Sequence, residues 1–334
     1  MAGSRLKKLS CGALFSGIGG FCFGFEAAGL KTLWAVDNNE AAIKTYGLNF
    51  QHVETICDDI IKLNDKKTKL TPVDILHAGF PCQSFSVAGN RRGFDDPRGK
   101  VFFEILRFIK NQGDKKPGLV ILENSPNIID GGHGTWFDTI RVGIQKAGYW
   151  FGIENCAVID ARVHGGLPQR RDRLFLVGAS RDHFTHNPFF GVQKAGRTDD
   201  LVELLEIGKG VDEDYYLPET NKYGNMLLRE GNKLKENCII QLRKTEIRTQ
   251  KPGYCPTLTA NMGMGGHNVP FIIDGHRLRK LTERECLNLQ GFPKRFLWPE
   301  ISKASKYRLI GNAVSPKVSN LVAKELKNFE FKGV

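Results

Sequence analysis

The stretch LFSGIGGFCFGFEAAGL, residues 14–30, decides the fold class of this chain. An apolar run ends at Phe15, glycines follow at Gly17, Gly19 and Gly20, and a helical pattern begins at once. A glycine-rich turn between a strand and a helix is typical of doubly wound α/β sheets, where it lets the backbone approach a nucleotide. The glycines alone are a weak signal, because a tight connection of this kind needs no ligand.

Strand and helix patterns alternate through the first half of the chain. Apolar runs of strand length lie at 9–15, 32–36, 73–80, 118–124, 155–161 and 173–179, and helical patterns lie at 20–29, 40–49, 99–112 and 134–147. This alternation predicts a mostly parallel sheet covered by helices on both faces. We therefore predict a doubly wound, Rossmann-like α/β domain.

The alternating pattern breaks after about residue 183. Glycine, asparagine and mixed charge then dominate, with short β-like pieces such as NCIIQLR and VPFIID. We predict a catalytic, cofactor-binding domain made of 1–185 and 305–334, and a smaller, irregular, β-rich domain with a hinge at 186–304. Within the latter, Thr282 and Glu285 have the spacing of a capping box at a helix start.

Composition limits the class of protein. The 334 residues carry a net charge of +12 and are 41% hydrophobic, so they can bury a sizeable core. We find no apolar stretch near the roughly 20 residues that a membrane span needs, and no signal peptide pattern. The eight cysteines are scattered without metal-site spacing. We expect a cytoplasmic, nucleoid-associated protein with reduced thiols and no metal.

Charge is unevenly distributed. Residues 199–219 hold eight acids and one lysine, whereas 222–251 hold eight bases and three acids. Residues 277–308 hold nine bases and three acids. A mildly basic total is weak evidence for a nucleic acid partner, but the grouping favours a phosphate-facing surface in the middle and late chain.

Two acids extend the glycine turn into a candidate nucleoside site. Asp37 follows the next apolar run, about 20 residues after the glycines, where an acid takes the hydroxyls of a ribose. Asp59 follows at the third edge of the same cleft. The spacing does not separate NAD from S-adenosylmethionine, although the turn departs from G-x-G-x-x-G. Its shorter form suits a single carboxylate, such as the methionine end of S-adenosylmethionine.

A second group of strand ends carries reactive side chains. Residues 77–86 read HAGFPCQSFS and place Cys82 just beyond an apolar run. Glu123 ends a later run, and PQRRDRLFLVG sets Arg171 and Arg173 two residues apart where a strand begins. Side chains two apart on a strand share a face, so we expect these groups to converge on one cleft. Taken singly, each group has a structural alternative: core packing for the cysteine, a helix cap for the glutamate and a solvated basic edge for the arginines.

The chain resembles the DNA (cytosine-5) methyltransferases, in particular the bacterial restriction-modification enzymes, through the ordered blocks FSGIGG, DDI, GFPCQSFS, ENS, QRRDR, RKLTERECLNLQGFP and IGNAVSPKV. The resemblance covers nearly the whole chain and is weakest over 183–276, where the family carries its target-recognition domain. It implies transfer of a methyl group from S-adenosylmethionine to carbon 5 of cytosine in a specific double-stranded DNA sequence. The family usually has Glu-Asn-Val where this chain has Ser125 as the third residue.

The resemblance also assigns roles to residues. It implies Cys82 as the nucleophile, Glu123 as the donor to ring nitrogen 3, and Arg173, with Arg171 nearby, as the group that holds the base oxygen. The implied cofactor-binding residues are Phe15, Gly17, Gly19, Gly20, Asp37, Asn38, Asp59, Ile60, Pro81 and Asn312. The final helical pattern, 315–328, is expected to return beside the glycine turn.

The predicted DNA-binding residues fall into three groups. By resemblance, Ser86 and Arg98 belong to a loop that closes over the target base. Arg243 and Lys244 lie in the basic segment 222–251. Thr257, Thr259 and Asn261 lie in TLTANMGMGGHN, residues 257–268, whose glycines suit close approach to DNA.

Chemistry supports a nucleophilic role for the cysteine. Carbon 5 of cytosine is a poor nucleophile, and a thiolate that adds at carbon 6 makes it enamine-like. A donor at nitrogen 3 keeps negative charge from building up in the ring. Because attack comes perpendicular to the ring, the base must leave the helical stack.

Three other functions compete with this prediction. A transfer-RNA cytosine-5 methyltransferase of the Dnmt-two type shares the motifs, but its Cys-Phe-Thr signature is absent from this chain. A catalytically inactive DNA-binding relative is disfavoured by the intact Cys82, Glu123 and Arg173. A nicotinamide dehydrogenase is disfavoured by the Pro-Cys-Gln block. The expected partners are double-stranded DNA and a restriction endonuclease that acts on the same site without direct contact, and we expect a monomer.

Overall fold

The computed structural model describes residues 9–63, 69–81, 93–218, 220, 224, 238–242, 247–265 and 268–329. The chain divides into two compact units. The first comprises Met1–Ile159, Asp172–Gln193 and Val318–Val334, and the second comprises Asp160–Arg171 and Lys194–Lys317. No helix within the described ranges is both long and apolar enough to cross a bilayer.

The first unit is built on an eight-stranded sheet. Its strands are β1 (Ser10–Leu14), β2 (Lys31–Asp37), β3 (Glu54–Cys57), β4 (Ile75–Gly79), β5 (Leu119–Asn124), β6 (Tyr149–Trp150), β7 (Cys156–Asp160) and β8 (Asp172–Ser180). The order is β3-β2-β1-β4-β5-β8-β6, with β7 paired to β8. Neighbouring pairs among β1 to β5 are parallel, whereas β8 runs antiparallel to β5 and to β6. The predicted doubly wound, mostly parallel sheet is confirmed.

The helices follow the sequence patterns closely. They are α1 (Gly20–Ala27), α2 (Glu40–Asn49), α3 (Ile60–Leu63), α4 (Pro97–Asn111), α5 (Thr135–Lys146), α6 (Glu283–Gln290), α7 (Lys303–Asn312) and α8 (Pro316–Leu326). Short 3-10 turns lie at 93–95, 113–115, 126–128, 131–134, 153–155, 202–204 and 213–215. Helix α3, a single turn, and helix α7 were not predicted from the sequence.

One face of the main sheet packs against α4 and α5. Phe102, Ile105 and Ile109 recur at helical spacing along α4, and Ile140 and Ile144 do so along α5. All five side chains are buried in one cluster with apolar side chains of the strands. Each fully buried side chain of this size stabilises the fold by about 1.5–3 kcal/mol, so this amphipathic periodicity fixes which side of each helix faces the sheet.

The last helix returns to the glycine turn, as predicted. The hydroxyl of Ser319, on α8, donates to the backbone oxygen of Gly20 at 2.9 Å, and the side-chain amide of Asn320 donates to that of Gly24 at 3.0 Å. These bonds join residues nearly 300 positions apart, at the start of α1. The carboxyl-terminal helix therefore supports the first turn of the helix that follows the glycines.

The second unit contains a four-stranded sheet in the order β10-β9-β11-β12. Its strands are β9 (Ile240–Leu242), β10 (Ile247–Thr249), β11 (Pro270–Asp274) and β12 (Arg277–Lys280). The capping box is confirmed, since Thr282 Oγ1 accepts from the backbone N–H of Glu285 at 3.1 Å and the Glu285 carboxylate accepts from that of Thr282 at 2.7 Å. Glu285 also binds the buried guanidinium of Arg279, which fixes the start of α6 to β12.

Candidate active site

The order of the strands places a crevice at the carboxyl ends of β1 and β4. The chain winds outward in one direction from β1 to β3 and in the other from β4 to β5, so the sheet reverses between β1 and β4. Ligands of open α/β sheets bind at such a switch point. Phe15 follows β1 at this edge, and Pro81 follows β4.

The backbone of the glycine turn lies in the left-handed region, which residues other than glycine rarely adopt. Phe15, Gly17 and Gly19 all have positive φ, at 53°, 54° and 86°. A Cβ at Gly19 would lie 2.4 Å from the ring of Phe50, so a side chain there clashes as well as strains the backbone. The N–H of Gly19 donates to the oxygen of Ser16 at 3.0 Å, which closes the turn directly before α1. The turn therefore needs glycine for its own geometry.

Asp37, the last residue of β2, is held in place by the backbone. Its Oδ2 accepts from the N–H of Gly17 at 2.8 Å, and its Oδ1 accepts from that of Asn39 at 2.9 Å. Burial raises the pKa of the carboxyl above its ordinary value, while the two backbone bonds oppose that rise. A carboxylate oxygen can accept more than one hydrogen bond. Asp37 is thus a preoriented acceptor with capacity left for a ligand hydroxyl.

A cavity of about 310 Å³ lies at these strand ends. It is lined by Leu14, Phe15, Val36, Asp37, Asn38, Asp58, Asp59, Ile60, Ile61, Pro81 and Val101. Six of the ten predicted cofactor residues are among them. Apolar walls with an acid at each of two strand ends suit a nucleoside, whose base needs apolar contact and whose ribose needs acceptors.

The other predicted cofactor residues lie elsewhere. Gly17 contacts the site through Asp37, whereas Gly19 and Gly20 form the start of α1. Asn312 is an exposed residue at the end of α7, in the second unit. Asp58, Ile61 and Val101 line the cavity but were missed by the sequence analysis, because Asp58 precedes the recognised acid and the other two lie in helices.

The ends of β5 and β8 bring an acid and a base together. Nε of Arg173 lies 3.0 Å from Oε1 of Glu123, whose residue is only 7% exposed. The side-chain amide of Asn124 donates to the oxygen of Phe80 at 3.2 Å, which ties the end of β5 to the segment entering Pro81. The hydroxyl of Ser125 caps the following 3-10 turn. A carboxylate and a guanidinium therefore lie in contact at these strand ends.

Several predicted residues lie outside the described part of the chain. They are Cys82, Ser86, Arg243 and Lys244, together with the side chain of Arg98 at the start of α4. Pro81, which directly precedes Cys82, lines the cavity. The assignments for these five residues remain predictions from the sequence.

Arg171 lies one residue before strand β8, which begins at Asp172. A shared strand face with Arg173 stays a prediction from the sequence. Arg171 is 2% exposed, and its guanidinium donates to the backbone oxygens of Leu258, Gly311 and Ala313.

Two of the three predicted recognition residues contact each other. The hydroxyl of Thr259 and the side-chain oxygen of Asn261 lie 2.7 Å apart, and the amide of Asn268 donates to the same oxygen at 3.0 Å. The hydroxyl of Thr257 instead donates to the backbone oxygen of Arg170 at 2.7 Å. Asn261 is exposed. Thr259 and Asn261 thus form one polar group, whereas Thr257 anchors the segment.

The acidic segment 199–219 neutralises part of the basic late chain. Among the described residues of the second unit, three ion pairs join acids in this segment to bases: Glu213–Arg277, Asp214–Lys303 and Asp199–Lys317. The late-chain bases are therefore less available for phosphate than their number suggested. This internal pairing leaves the middle segment, 222–251, as the better expectation for a phosphate surface.

A larger surface groove, of about 980 Å³, lies between α4 and α5 of the first unit. Phe103 and Val142 are exposed in it, and Lys110 and Lys146 stand at its rim. None of the predicted site residues that the structure describes lines this groove. The candidate active site is thus the smaller cavity at the strand ends.

Fold and site together define an α/β protein with a crevice at the switch point of its sheet and a carboxylate–guanidinium pair at neighbouring strand ends. Residues 9–328 match the family model described as C-5 cytosine-specific DNA methylase. The chain therefore belongs to this family and is a methyltransferase.

Similar proteins agree with this family. The chain is 37% identical over 321 residues to the Type II methyltransferase M.Bsp6I of Bacillus sp. (strain RFL6), covering 95% of this chain and 98% of that protein. It is 27% identical to the Type II methyltransferase M.HhaI of Haemophilus parahaemolyticus, covering 93% and 91% respectively. Among solved structures, the Dnmt2 methyltransferase of S. pombe matches with a TM-score of 0.70 at 21% identity, covering 96% of this chain and 100% of that one. At that identity the structural likeness establishes the fold alone.

Proposed function

We propose that this protein transfers a methyl group from S-adenosylmethionine to carbon 5 of a cytosine that lies in a specific sequence of double-stranded DNA. The observation that carries the proposal is the Glu123–Arg173 pair. It stands at the ends of β5 and β8, and β5 neighbours the strand that leads to Pro81 and the cavity.

The cofactor proposal rests on the cavity. Asp37 would accept from the ribose hydroxyls, the backbone of the glycine turn would lie close to the methionine end, and the apolar wall with Phe15 and Ile60 would contact the base. When bound, S-adenosylmethionine supplies an electrophilic methyl group. Asp37 and the turn bind and orient it, and the apolar wall excludes water from it.

The nucleophile in this mechanism is Cys82. Its thiolate adds to carbon 6 of the cytosine, which breaks the aromaticity of the ring and makes carbon 5 nucleophilic. After carbon 5 gains the methyl group, water takes the proton from carbon 5. Nitrogen 3 then returns its proton to Glu123 as the Cys82–carbon 6 bond breaks, which restores the aromatic ring. Cysteine suits this cycle because it is both a good nucleophile and a good leaving group.

Glu123 and Arg173 control charge in the ring. Glu123 acts in its protonated form and donates that proton to nitrogen 3 as the thiolate adds, so the adduct forms without a buried negative charge. Arg173 keeps that side chain in a fixed orientation and binds the base oxygen. A base held this way must lie outside the stack, since its plane has to be accessible from one face.

Sequence reading is assigned to the second unit. A flipped base carries no information on its neighbours, so other groups must reach base edges in a groove. The polar pair Thr259 and Asn261 is our proposal for such groups, with Arg243 and Lys244 as phosphate contacts. The modification enzyme would act as a monomer. A restriction endonuclease would act on the same DNA site without direct contact with this protein.

Covalent trapping tests the nucleophile. A duplex with 5-fluorocytosine at the target should form an adduct that survives a denaturing gel, because fluorine blocks the final elimination. Cys82→Ala should abolish both the adduct and methyl transfer, whereas Cys57→Ala, a change at an exposed cysteine of the same unit, should keep both. An adduct with the Cys82 variant, or methyl transfer by it, would refute this assignment.

A further inference from the structure

The buried side chain of Arg171 holds the segment that we assign to sequence recognition. Nη1 donates to the backbone oxygen of Leu258 at 2.9 Å, and Nη2 donates to those of Gly311 and Ala313, each at 2.8 Å. Arg171 is thus bonded across 87 and about 140 residues of chain, within the second unit. A planar guanidinium with fixed donor directions sets the relative position of the two segments that it binds.

Gln169 binds the same residue from the same stretch of chain. Its Oε1 accepts from the backbone N–H of Leu258 at 3.1 Å, and its Nε2 donates to Oε1 of the buried Gln290 at 2.6 Å. Both backbone groups of Leu258 are therefore bound by side chains from 169–171. Leu258 lies between Thr257 and Thr259, so the backbone at the proposed recognition residues has little freedom.

Gly311 contacts this segment from helix α7. A Cβ at Gly311 would lie 2.3 Å from both the backbone nitrogen of Ala260 and the carbonyl carbon of Thr259. Both are backbone atoms, so a larger residue can be accommodated only if the recognition segment shifts. The two polar side chains and this close helix contact locate the backbone of 258–260.

We propose that Arg171 is a positioning residue for sequence recognition, which acts through the backbone of 257–261 and does not contact the flipped base. Its guanidinium is engaged with three backbone oxygens of the protein. By fixing Leu258 it sets where Thr259 and Asn261 stand, and base-edge hydrogen bonds tolerate shifts of only about half an ångström. This proposal rests on the proposed function, because it assumes that 257–261 reads DNA.

The experiment compares two arginine-to-lysine variants. Arg171→Lys keeps the charge but loses the fork that binds three carbonyls. Arg284→Lys is the matched control, since Arg284 donates to the backbone oxygens of Pro293 and Phe296 in the same unit. Each variant methylates a pool of duplexes randomised around a cytosine, read by bisulfite sequencing, and kcat and KM are measured on the site that the wild type prefers.

We expect Arg171→Lys to lower discrimination between the preferred site and single-base variants about tenfold, as for one lost base contact, and to raise KM for DNA more than it lowers kcat. Arg284→Lys should keep the wild-type discrimination. Unchanged discrimination with an equal fall of kcat on every sequence would show that Arg171 serves the reacting base instead. A wild type that methylates no sequence would refute the proposed function, not this assignment.

A second variant covers the case in which Arg171→Lys does not fold. Gly311→Ala should displace the backbone of 259–260 from the side of helix α7 and leaves the side chain of Arg171 unmutated. Its thermal unfolding is measured beside its site preference. A folded Gly311→Ala protein should show relaxed preference at the same base positions, and a wild-type preference in that protein would overturn the proposal.

Discussion

Nε of Arg173 lies 3.0 Å from Oε1 of Glu123, where the first residues of β8 pair with the last residues of β5. The two strands are antiparallel, so the start of one adjoins the end of the other. Arg173, 50 positions along the chain, therefore orients the carboxylate of Glu123.

Glu123→Gln should lower the single-turnover rate of methyl transfer by about 10²–10⁴, the usual contribution of a positioned proton donor. The amide keeps the size of the side chain and a hydrogen bond but cannot transfer the proton. Rapid-quench assays with labelled S-adenosylmethionine measure the rate. The rise in melting temperature that S-adenosylmethionine causes checks that the variant is folded, and the variant should retain this rise. A near-wild-type rate would remove Glu123 from the mechanism.

Asp37 should make cofactor affinity depend on pH. Burial raises the pKa of this carboxyl, so it takes up a proton at a higher pH than an ordinary aspartate. The protonated form accepts poorly from ribose hydroxyls, and affinity should therefore fall as the pH drops through that pKa. Calorimetric titration between about pH 4 and pH 8 should show the fall.

Two controls accompany the Asp37 prediction. Asp37→Asn should bind S-adenosylmethionine more weakly and lose the pH dependence, whereas Asp114→Asn, at an exposed carboxylate, should behave as the wild type. NAD should not raise the melting temperature. Equal stabilisation by NAD would contradict the cofactor assignment and favour a dehydrogenase.

His77 should make the fold sensitive to acid. It is 1% exposed in β4, its ring is stacked on that of Phe21, and burial lowers its pKa to about 3. Below about pH 6.5, His77 takes up a proton in the unfolded chain but stays neutral in the folded protein. The free energy of unfolding therefore decreases as the pH falls from there towards 3. The expected slope is about 1.4 kcal/mol per pH unit.

Urea unfolding at a series of pH values measures this slope. His77→Leu should have a shallower dependence below pH 6.5, whatever it costs at neutral pH. His186→Leu, at an exposed histidine of the same unit, should keep the wild-type slope. Parallel stability curves for the His77 variant and the wild type would show that other groups cause the acid sensitivity.

The sequence predicted those parts of the fold that rest on local pattern. Strands β1, β2, β4, β5 and β8 contain apolar runs, and each was found within a few residues. Strand β3 was missed because it is an edge strand with only two half-buried residues, so no apolar run marks it. Helix α7 was missed because its buried residues cluster near its end and its first turns are polar and lysine-rich.

Contacts between distant segments were beyond the sequence patterns. The partners of Arg171 lie 87 to 142 positions away, and no local rule relates them. The pairing of the acidic segment with Lys303 and Lys317 is of the same kind. Charge counts along the chain therefore overestimated the basic surface, because a count does not show which bases already have a carboxylate partner.

This distinction leads to a prediction about DNA affinity. Arg243→Ala combined with Lys244→Ala should weaken binding to all sequences alike and flatten its salt dependence, because each lost phosphate contact removes about 0.9 from the slope of log K against log salt concentration. The matched control is Lys303→Ala with Lys317→Ala, which removes the same charge from the same unit. Those lysines are paired with Asp214 and Asp199, so the slope should change little. Fluorescence anisotropy with preferred and unrelated duplexes at several salt concentrations gives both slopes, and equal flattening by the two double variants would show that net charge, not a defined phosphate surface, governs binding.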